Sequence, residues 1–123
     1  MSTAVASPWP TELKFSSAER VLTISFDDGS SFKLPAEYLR VESPSAEVQG
    51  HGASQKQTVA GKRDVGVSGI EPVGRYAVRI VFDDGHDTGL FSWTYLQQLG
   101  REHATRWADY ERRLAAARLT RDG

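Results

Sequence analysis

Apolar and polar residues alternate in the same way in two segments of the chain. Residues 21–29 read VLTISFDDG, and residues 77–85 read AVRIVFDDG. In both segments the residues two and four positions before the phenylalanine are apolar, which is the period of a strand with one buried face. Both segments end in Asp-Asp-Gly, and an Asp-Gly pair favours a type I′ turn, in which both central residues have positive φ. The pattern predicts two β-hairpins of one design.

A short helix is predicted after each hairpin. Pro35 suits the first turn of a helix, Ser92 can accept a capping hydrogen bond, and Gly100 is typical of a helix end. Because two copies are too few for a solenoid, we interpret the two hairpin–helix units as pseudo-symmetric halves of one sheet.

Further elements complete the predicted fold. Residues 12–15 and 65–73 alternate in polarity and are predicted strands, whereas residues 50–57 have no apolar period and are a predicted loop. Over residues 103–119 apolar residues recur at three- and four-residue steps, which predicts a helix packed on the core, or alternatively a partner-binding face. Together these elements predict an α+β fold, with a mostly antiparallel sheet built from two hairpin–helix units and a C-terminal helix.

The inward positions of these elements define the predicted core. Its members are Leu13, Phe15, Leu22, Ile24, Phe26, Leu34, Val78, Ile80, Phe82, Leu90, Trp93, Leu96 and Leu114. A chain of 123 residues fits one domain. We divide it into a disordered tail at residues 1–10, the domain at residues 11–100, and a C-terminal helix and tail at residues 101–123.

Composition excludes several classes of function. The chain has 15 basic and 16 acidic residues, so its net charge of −1 gives no general attraction to nucleic acid or to an anionic membrane. The absence of cysteine excludes disulfides, thiolate metal sites and cysteine nucleophiles. The first ten residues lack the basic and apolar regions of a signal peptide, and no segment has the apolar length of a membrane helix. We therefore expect a cytoplasmic protein.

The chain has two pairs of adjacent aspartates, Asp27-Asp28 and Asp83-Asp84. In principle such a pair can serve in general acid–base catalysis or bind a hard cation. Adjacent residues of a strand point to opposite faces, however, and aspartate before glycine is typical of a turn. We assign both pairs a structural role.

Other motifs that carry chemistry are incomplete. Gly61-Lys62 lacks the earlier glycine and the following Ser or Thr of a phosphate loop, because Lys56 and Arg63 stand at those positions. None of the histidines at positions 51, 86 and 103 is followed two residues later by an acid, as in a two-histidine iron site. No Gly-x-Ser-x-Gly motif occurs. The residues give no positive evidence for an enzyme.

Several short words of the chain are shared with one known family. They are LPAEYLRV at residues 34–41, SPSAEV at 43–48, GHG at 50–52, VFDDGH at 81–86, and the residues Trp93, Tyr95 and Leu96. Through them the chain resembles the gamma-butyrobetaine hydroxylase-like N-terminal domain family from about residue 13 to residue 100. Members of this family are small stand-alone bacterial proteins of unknown function, N-terminal modules of carnitine-pathway oxygenases, and modules attached to some P-loop ATPases that carry iron–sulfur clusters.

The resemblance implies a metal-site position. In the hydroxylases this domain holds a structural zinc ion through a Cys-Pro-Cys-x-x-Cys run and a histidine after the second hairpin turn. The matching positions here are Ser43, Ser45, Val48 and His86, so the first three should lie near His86. Only the histidine is a good zinc ligand, since a neutral serine hydroxyl is a poor one and valine is none. The resemblance therefore implies that packing holds this fold without zinc.

The resemblance also implies a non-catalytic accessory or protein-interaction module, because the oxygenase domain with its iron and 2-oxoglutarate site is absent from so short a chain. A link to iron–sulfur or metal metabolism follows by family association alone. The alternative is a protein that binds iron or zinc through His86 and His51, and an independent enzyme comes third. We expect no cofactor apart from the metal of that alternative, an unknown protein partner, no nucleic acid or membrane partner, and a monomer.

A binding surface is expected on the loop that leads from the first helix to the second hairpin unit. His51 lies on this loop, and Lys56, Lys62 and Arg63 add positive charge to it. Loops carried by a rigid scaffold are common places for binding residues. The alternative is an ordinary solvated loop, with no ligand at these side chains.

Overall fold

The computed structural model describes residues 8–50 and 56–123, and no helix among them is both long and apolar enough to cross a membrane. In chain order the elements are β1 (Pro10–Ser16), β2 (Val21–Phe26), β3 (Ser31–Pro35), α1 (Ala36–Val41), α2 (Ala46–Gln49), β4 (Val67–Val73), β5 (Ala77–Phe82), β6 (Leu90–Ser92), α3 (Trp93–Arg101) and α4 (His103–Ala116). Strands β1, β2 and β3 form an antiparallel sheet, sheet A, and β4, β5 and β6 form a second one, sheet B. The predicted α+β class and the C-terminal helix are confirmed.

The two hairpin–helix units form two separate sheets, and not halves of one sheet as the sequence suggested. Each unit is preceded by its own extra strand, β1 or β4, which pairs with the first strand of the hairpin. Each unit therefore completes a three-stranded sheet with one apolar face. The inner faces share one core, to which Leu22, Ile24 and Leu34 contribute from sheet A and Ile80 and Phe91 from sheet B.

One residue of the predicted core is on the surface. Leu90 is 49% exposed, and the adjacent Phe91 is fully buried. Phe91 pairs with the inward-facing Val78, whereas Leu90 pairs with Arg79 on the outer face of sheet B. The second hairpin is one residue longer than the first between its turn and its helix, and this shifts the alternation of β6. The other predicted core residues are buried or partly buried.

Two helix ends differ from the prediction. Helix α3 continues through Gly100, so the glycine does not end the helix. Its missing side chain instead lets the ring of Phe32 pack closely against the helix. A Cβ at Gly100 would lie 2.3 Å from the ring of Phe32. Helix α4 ends at Ala116 and not at residue 119, because the chain leaves the helix at Arg118 with a positive φ of 58°.

The first strand starts earlier than predicted. Strand β1 begins at Pro10, inside the segment that the sequence assigned to a disordered tail, and the backbone N–H of Asp27 donates to the carbonyl of Trp9 at 2.9 Å. Residues 1–7 of that tail lie outside the described residues.

Both hairpins turn through three residues, so the predicted type I′ turn is wrong. In the first hairpin the backbone N–H of Phe26 donates to the carbonyl of Ser30, and that of Gly29 donates to the carbonyl of Phe26. Gly29 has a φ of 89°, and Asp28 is not among the residues with positive φ. This is a type I turn followed by a left-handed glycine, which spares the aspartate a left-handed conformation. Gly85, with a φ of 92°, has the same role in the second hairpin.

The two halves of the molecule hold each other through a matched pair of hydrogen bonds. Nε of Arg40 in α1 donates to Oδ2 of Asp84 at 2.9 Å, and Nε2 of Gln97 in α3 donates to Oδ2 of Asp28 at 3.0 Å. Arg40 and Gln97 are each the fifth residue after the N-cap of their helix. The helix of each half thus binds the Asp-Asp-Gly turn of the other half, and we call this pair the reciprocal turn–helix contacts.

Asp84 is the more strongly held of the two aspartates. Its side chain is 18% exposed and accepts hydrogen bonds from Arg40, from Lys62 and from the backbone N–H of His86. Burial raises the pKa of Asp84, but the hydrogen bonds from Lys62, His86 and Arg40 outweigh it and hold the pKa at about 2. The folded state therefore favours the ionised carboxylate.

Replacing either turn glycine by alanine should lower the free energy of unfolding by about 1 kcal/mol, since an L residue is strained at these φ values. A Cβ at Gly29 or Gly85 has no atom within 4 Å, so any loss comes from the backbone and not from a clash. Urea denaturation measures the change, with Gly69→Ala as control, because its Cβ would make only an ordinary 3.9 Å contact. Variants Gly29→Ala and Gly85→Ala as stable as this control would contradict the assigned turn.

Asp84→Asn should remove a pH-dependent part of the stability. Because the folded pKa of Asp84 lies below the unfolded value of 3.8, its contribution is present above about pH 4 and is lost as the pH falls toward 2. The expected difference in unfolding free energy between the wild type and Asp84→Asn is about 2 kcal/mol at pH 7, shrinking toward pH 2. Urea titrations across this range measure it, and Asp64→Asn, with a side chain 83% exposed, is the control. A difference that is constant with pH would contradict the assignment.

Candidate functional site

Three of the four positions that the resemblance assigned to a metal site, Ser43, Ser45 and His86, belong to one hydrogen-bonded group at the junction between the two halves. Ser43 lies between α1 and α2, and Ser45 is the N-cap of α2, where its side chain accepts from the backbone N–H of Glu47 at 3.2 Å. His86 directly follows the turn of the second hairpin, whose strands belong to sheet B. Of the three positions expected near His86, Ser43 is in direct contact with it, with Oγ 2.9 Å from Nε2.

These residues form one continuous hydrogen-bonded cluster, the serine–histidine cluster, made of Ser43, Ser45, Glu47, His86 and Thr88. Oγ of Ser43 lies 2.9 Å from Nε2 of His86, and Nδ1 of His86 lies 3.2 Å from Oε2 of Glu47. The Thr88 hydroxyl donates to Glu47 at 3.2 Å and lies 2.7 Å from the Ser45 hydroxyl. The backbone N–H of Ser45 donates to Oγ of Ser43 at 3.2 Å, which closes the cluster.

The partners of His86 define its protonation state. Burial lowers the pKa of His86, the positive charge of Arg40 lowers it further, and Glu47 opposes both. The ring is therefore neutral at pH 7. A carboxylate can only accept, so Nδ1 carries the hydrogen toward Glu47 and Nε2 accepts the hydroxyl hydrogen of Ser43.

The order serine, histidine, acid is that of a hydrolase triad, but the surroundings do not allow substrate to reach it. Ser43 is fully buried and His86 is 6% exposed. Gly89 packs directly on the serine hydroxyl, since a Cβ at that position would lie 2.4 Å from Oγ of Ser43. A nucleophile needs open space about 3 Å away for the reacting carbon. The Ser43 hydroxyl has no such space on the side of Gly89.

Zinc does not fit the residues present at this site. The donor set consists of two neutral hydroxyls and one imidazole, while Val48 is 1% exposed and has no donor. Both ring nitrogens of His86 are already hydrogen-bonded. Within residues 8–50 and 56–123, no three His, Cys, Asp or Glu side chains are grouped so that they could hold a metal ion. The side-chain atoms that would have to coordinate zinc are already hydrogen-bonded to one another.

The cations predicted to form a binding loop make ion pairs within the molecule. Lys62 donates to Asp84, Nε of Arg63 donates to Asp122 at 2.6 Å, and Lys56 reaches the carboxylate of Glu42 at 3.0 Å. His51, the other member of that predicted site, lies outside the described residues. The described cations of the loop thus fix its path along the molecule.

Glu42 is a buried carboxylate that sequence reasoning missed. It is 1% exposed, and Lys56, Arg106 and Arg113 all approach it, with Arg106 at 2.7 Å and Arg113 at 3.6 Å. The Tyr95 hydroxyl donates to its backbone carbonyl at 2.5 Å, and burial together with Glu42 raises the pKa of Tyr95 to about 12. The seven-residue spacing of the two arginines on one face of α4 is the only signal of this site in the sequence.

A shallow groove follows the junction of α3 and α4, and Trp107 of its lining also packs on the buried Tyr110. We call it the α3–α4 groove, and its volume is about 640 Å³. It is lined by Gly100, Arg101, His103, Ala104, Trp107, Ala108 and Glu111. Burial lowers the pKa of His103, whose ring stacks on Tyr38 with centroids 4.3 Å apart. The groove therefore presents a neutral, partly apolar surface with one cation and one carboxylate.

The comparisons with known proteins agree with this fold. The chain matches the family described as gamma-butyrobetaine hydroxylase-like, N-terminal, over residues 13–97. Two NMR solution structures are similar to it, one at 46% identity over 95% of this chain and 92% of its own with a TM-score of 0.83, the other at 48% identity over 98% and 90% with a TM-score of 0.82. A crystal structure from Acidithiobacillus ferrooxidans, of a protein of unknown function in the DUF971 family, is 41% identical over 74% of this chain and 91% of its own, with a TM-score of 0.63. No curated protein matches the chain.

Cysteine at the three matching positions should create a zinc site. A chain with Ser43→Cys, Ser45→Cys and Val48→Cys is expected to bind one zinc ion with His86 and to melt at a higher temperature with zinc than with EDTA, since ligand binding to the folded state stabilises it. Adding His86→Ala should weaken zinc binding by more than the roughly 10–100-fold that loss of a supporting partner costs. Metal analysis of untagged protein and thermal melts measure both effects.

The wild type is the control for this experiment. It should hold no stoichiometric metal, and EDTA should leave its melting temperature unchanged. A triple variant without zinc would show that the matching positions are wrongly assigned, and one metal ion per wild-type chain would favour the alternative of metal binding through His86 and His51.

Proposed function

Since the chain belongs to the gamma-butyrobetaine hydroxylase-like, N-terminal family, we propose that it is a non-catalytic accessory module that binds another protein. A related protein of 41% identity is itself described as having unknown function. The argument for the proposal therefore comes from the chemistry of the residues in the site.

The closed serine–histidine cluster is the observation that carries the proposal. Its residues have the types that catalysis or metal binding would use, yet their polar atoms are directed to one another. Ser43 is fully buried beneath Gly89, and both nitrogens of His86 are occupied. Chemistry on a bound substrate needs an accessible reacting group, whereas a binding module needs only a rigid framework beneath its surface.

The α3–α4 groove is the surface on which we place the partner. Trp107 supplies the kind of aromatic side chain that dominates many interfaces, and Ala104 and Ala108 leave room for apolar side chains beside it. Arg101 precedes α4 and Glu111 lies in its third turn, so opposite charges mark the two ends of the groove. The complementary segment is an apolar one with an acidic end near Arg101 and a basic end near Glu111.

The setting that we propose is the cytoplasm, and the partner a protein of iron–sulfur or metal metabolism. This part of the proposal rests on the membership of the family, in which the same domain accompanies oxygenases and iron–sulfur ATPases. The competing proposal, iron or zinc held by His86 with His51, is decided by the metal analysis of the wild type described above.

The partner proposal is tested by capture on the immobilised chain, with identification of the bound proteins by mass spectrometry. Ala108→Arg, in the groove, should reduce capture of the specific partner at least about tenfold, because a charged side chain is forced into the apolar contact. Ala116→Arg is the matched control, with the same substitution at an exposed position of α4 outside the groove. Ser43→Ala should capture the partner as well as the wild type does.

Two results would contradict the proposal. One is capture that Ala108→Arg and Ala116→Arg leave equally intact, since the groove would then not be the partner surface. The other is covalent labelling of Ser43 in the folded protein by a fluorophosphonate probe, because a serine that reacts is an accessible nucleophile.

A further inference from the structure

The outer faces of the two sheets differ although the sheets share one design. In both sheets the middle strand carries its inward side chains to the common core and leaves three side chains on the outer face. Fold requirements are the same for the two outer faces. Any systematic difference between them therefore reflects something other than the fold.

Sheet A has the outer face expected for contact with water. Its central cross-strand row consists of Lys14, Thr23 and Lys33, the row on one side of it of Glu12, Ser25 and Ser31, and the row on the other side, next to α1, of Ser16, Val21 and Pro35. Such polar rows are usual on the solvated side of an antiparallel sheet.

Sheet B has apolar residues at three of the corresponding places, with Leu90 for Lys33, Val81 for Ser25 and Val73 for Ser16. Its central row is Glu71, Arg79 and Leu90, its second row contains Gly69 and Val81, and its third row consists of Val73, Ala77 and Ser92. Leu90 is 49% and Val73 is 39% exposed. Leucine and valine side chains that stay exposed on a strand surface gain no hydrophobic stabilisation. They gain it when another surface covers them.

The charges on this face are arranged so that the face is complementary to itself. Glu71 and Arg79 form an ion pair at the centre of the row, so one negative and one positive group lie side by side among the apolar residues. A two-fold rotation places the arginine of one copy against the glutamate of another, and both pairs are made at once. A partner surface with one dominant charge would instead place a like charge against either Glu71 or Arg79.

We propose that the outer face of sheet B binds a second copy of this chain, packed sheet to sheet across a two-fold axis. The apolar contact is made by Val73, Ala77, Val81 and Leu90, and the pairs between Glu71 and Arg79 fix the register. This self-association uses a different surface from the α3–α4 groove and does not depend on the partner proposed there. It departs from the monomer that the sequence led us to expect.

The area of the face indicates a weak dimer. With strands about 4.8 Å apart and about 3.3 Å per residue, a three-stranded face of this length covers roughly 300 Å². Stable complexes bury about 800 Å² on each partner, so the dimer should form only at high concentration, with a dissociation constant on the order of 0.1–1 mM. The chain would be a monomer when dilute and a dimer where it is locally concentrated.

Sedimentation velocity from about 10 μM to about 1 mM tests the proposal, since this range spans the expected dissociation constant. The weight-average mass should rise with concentration from the monomer value of 13.6 kDa toward twice that value. Leu90→Lys and, separately, Val73→Lys should each raise the dissociation constant at least about tenfold, because a lysine would be buried against the second copy. Ser31→Lys adds the same charge to the outer face of sheet A and should leave the association unchanged.

Amide chemical shifts of the wild type over the same concentrations locate the contact without any substitution. Shifts concentrated in β4 and β5 support the proposal. It is overturned if the wild type stays at the monomer mass up to the highest concentration, if the lysine variants associate as the wild type does, or if the shifts lie in the α3–α4 groove or in sheet A instead.

Discussion

The reciprocal turn–helix contacts are the constraint on which the arrangement of the two halves depends. Each hairpin and its helix form locally, but the carboxylate at the tip of each turn also accepts a hydrogen bond from the helix of the other half. The contact of Arg40 with Asp84 positions His86, whose backbone N–H is bound by the same aspartate. It thereby fixes the distance between the second turn and the segment after α1. The serine–histidine cluster forms in the space that this contact defines.

The repeated Phe-Asp-Asp-Gly word was enough to predict the two hairpins, their helices and most of the core, because period-2 burial and turn chemistry are local properties of the chain. The features that failed depend on partners distant in sequence. Leu90 was placed inside because one extra residue after the second turn cannot be seen from the aligned words. Glu42 was overlooked because a glutamate is ordinarily exposed, and only tertiary structure brings Lys56, Arg106 and Arg113 around it.

The approach of Ser43 to His86 was foreseen from the family resemblance, but its chemistry was not. Nothing in the sequence indicated that Glu47 and Thr88 would complete a closed network around the histidine. Its buried members, Ser43, Ser45 and His86, need these hydrogen bonds, since a buried polar group without a partner is costly. The cluster is accordingly specific to this arrangement of side chains. It connects the first half of the chain to the second through side-chain hydrogen bonds.

Because three cations share the buried Glu42 carboxylate, substitutions of Glu42 and substitutions of its partners are not tolerated equally. Three cations from two different segments share one anion, so the loss of any one of them leaves two charges to balance it. The loss of the anion leaves three partly buried cations without their shared partner, although Arg106 keeps its ion pair with Glu102 and Arg113 its ion pair with Asp109. Over evolutionary time the lysine and the arginines can therefore be exchanged one at a time. The glutamate can change only if several positions change with it.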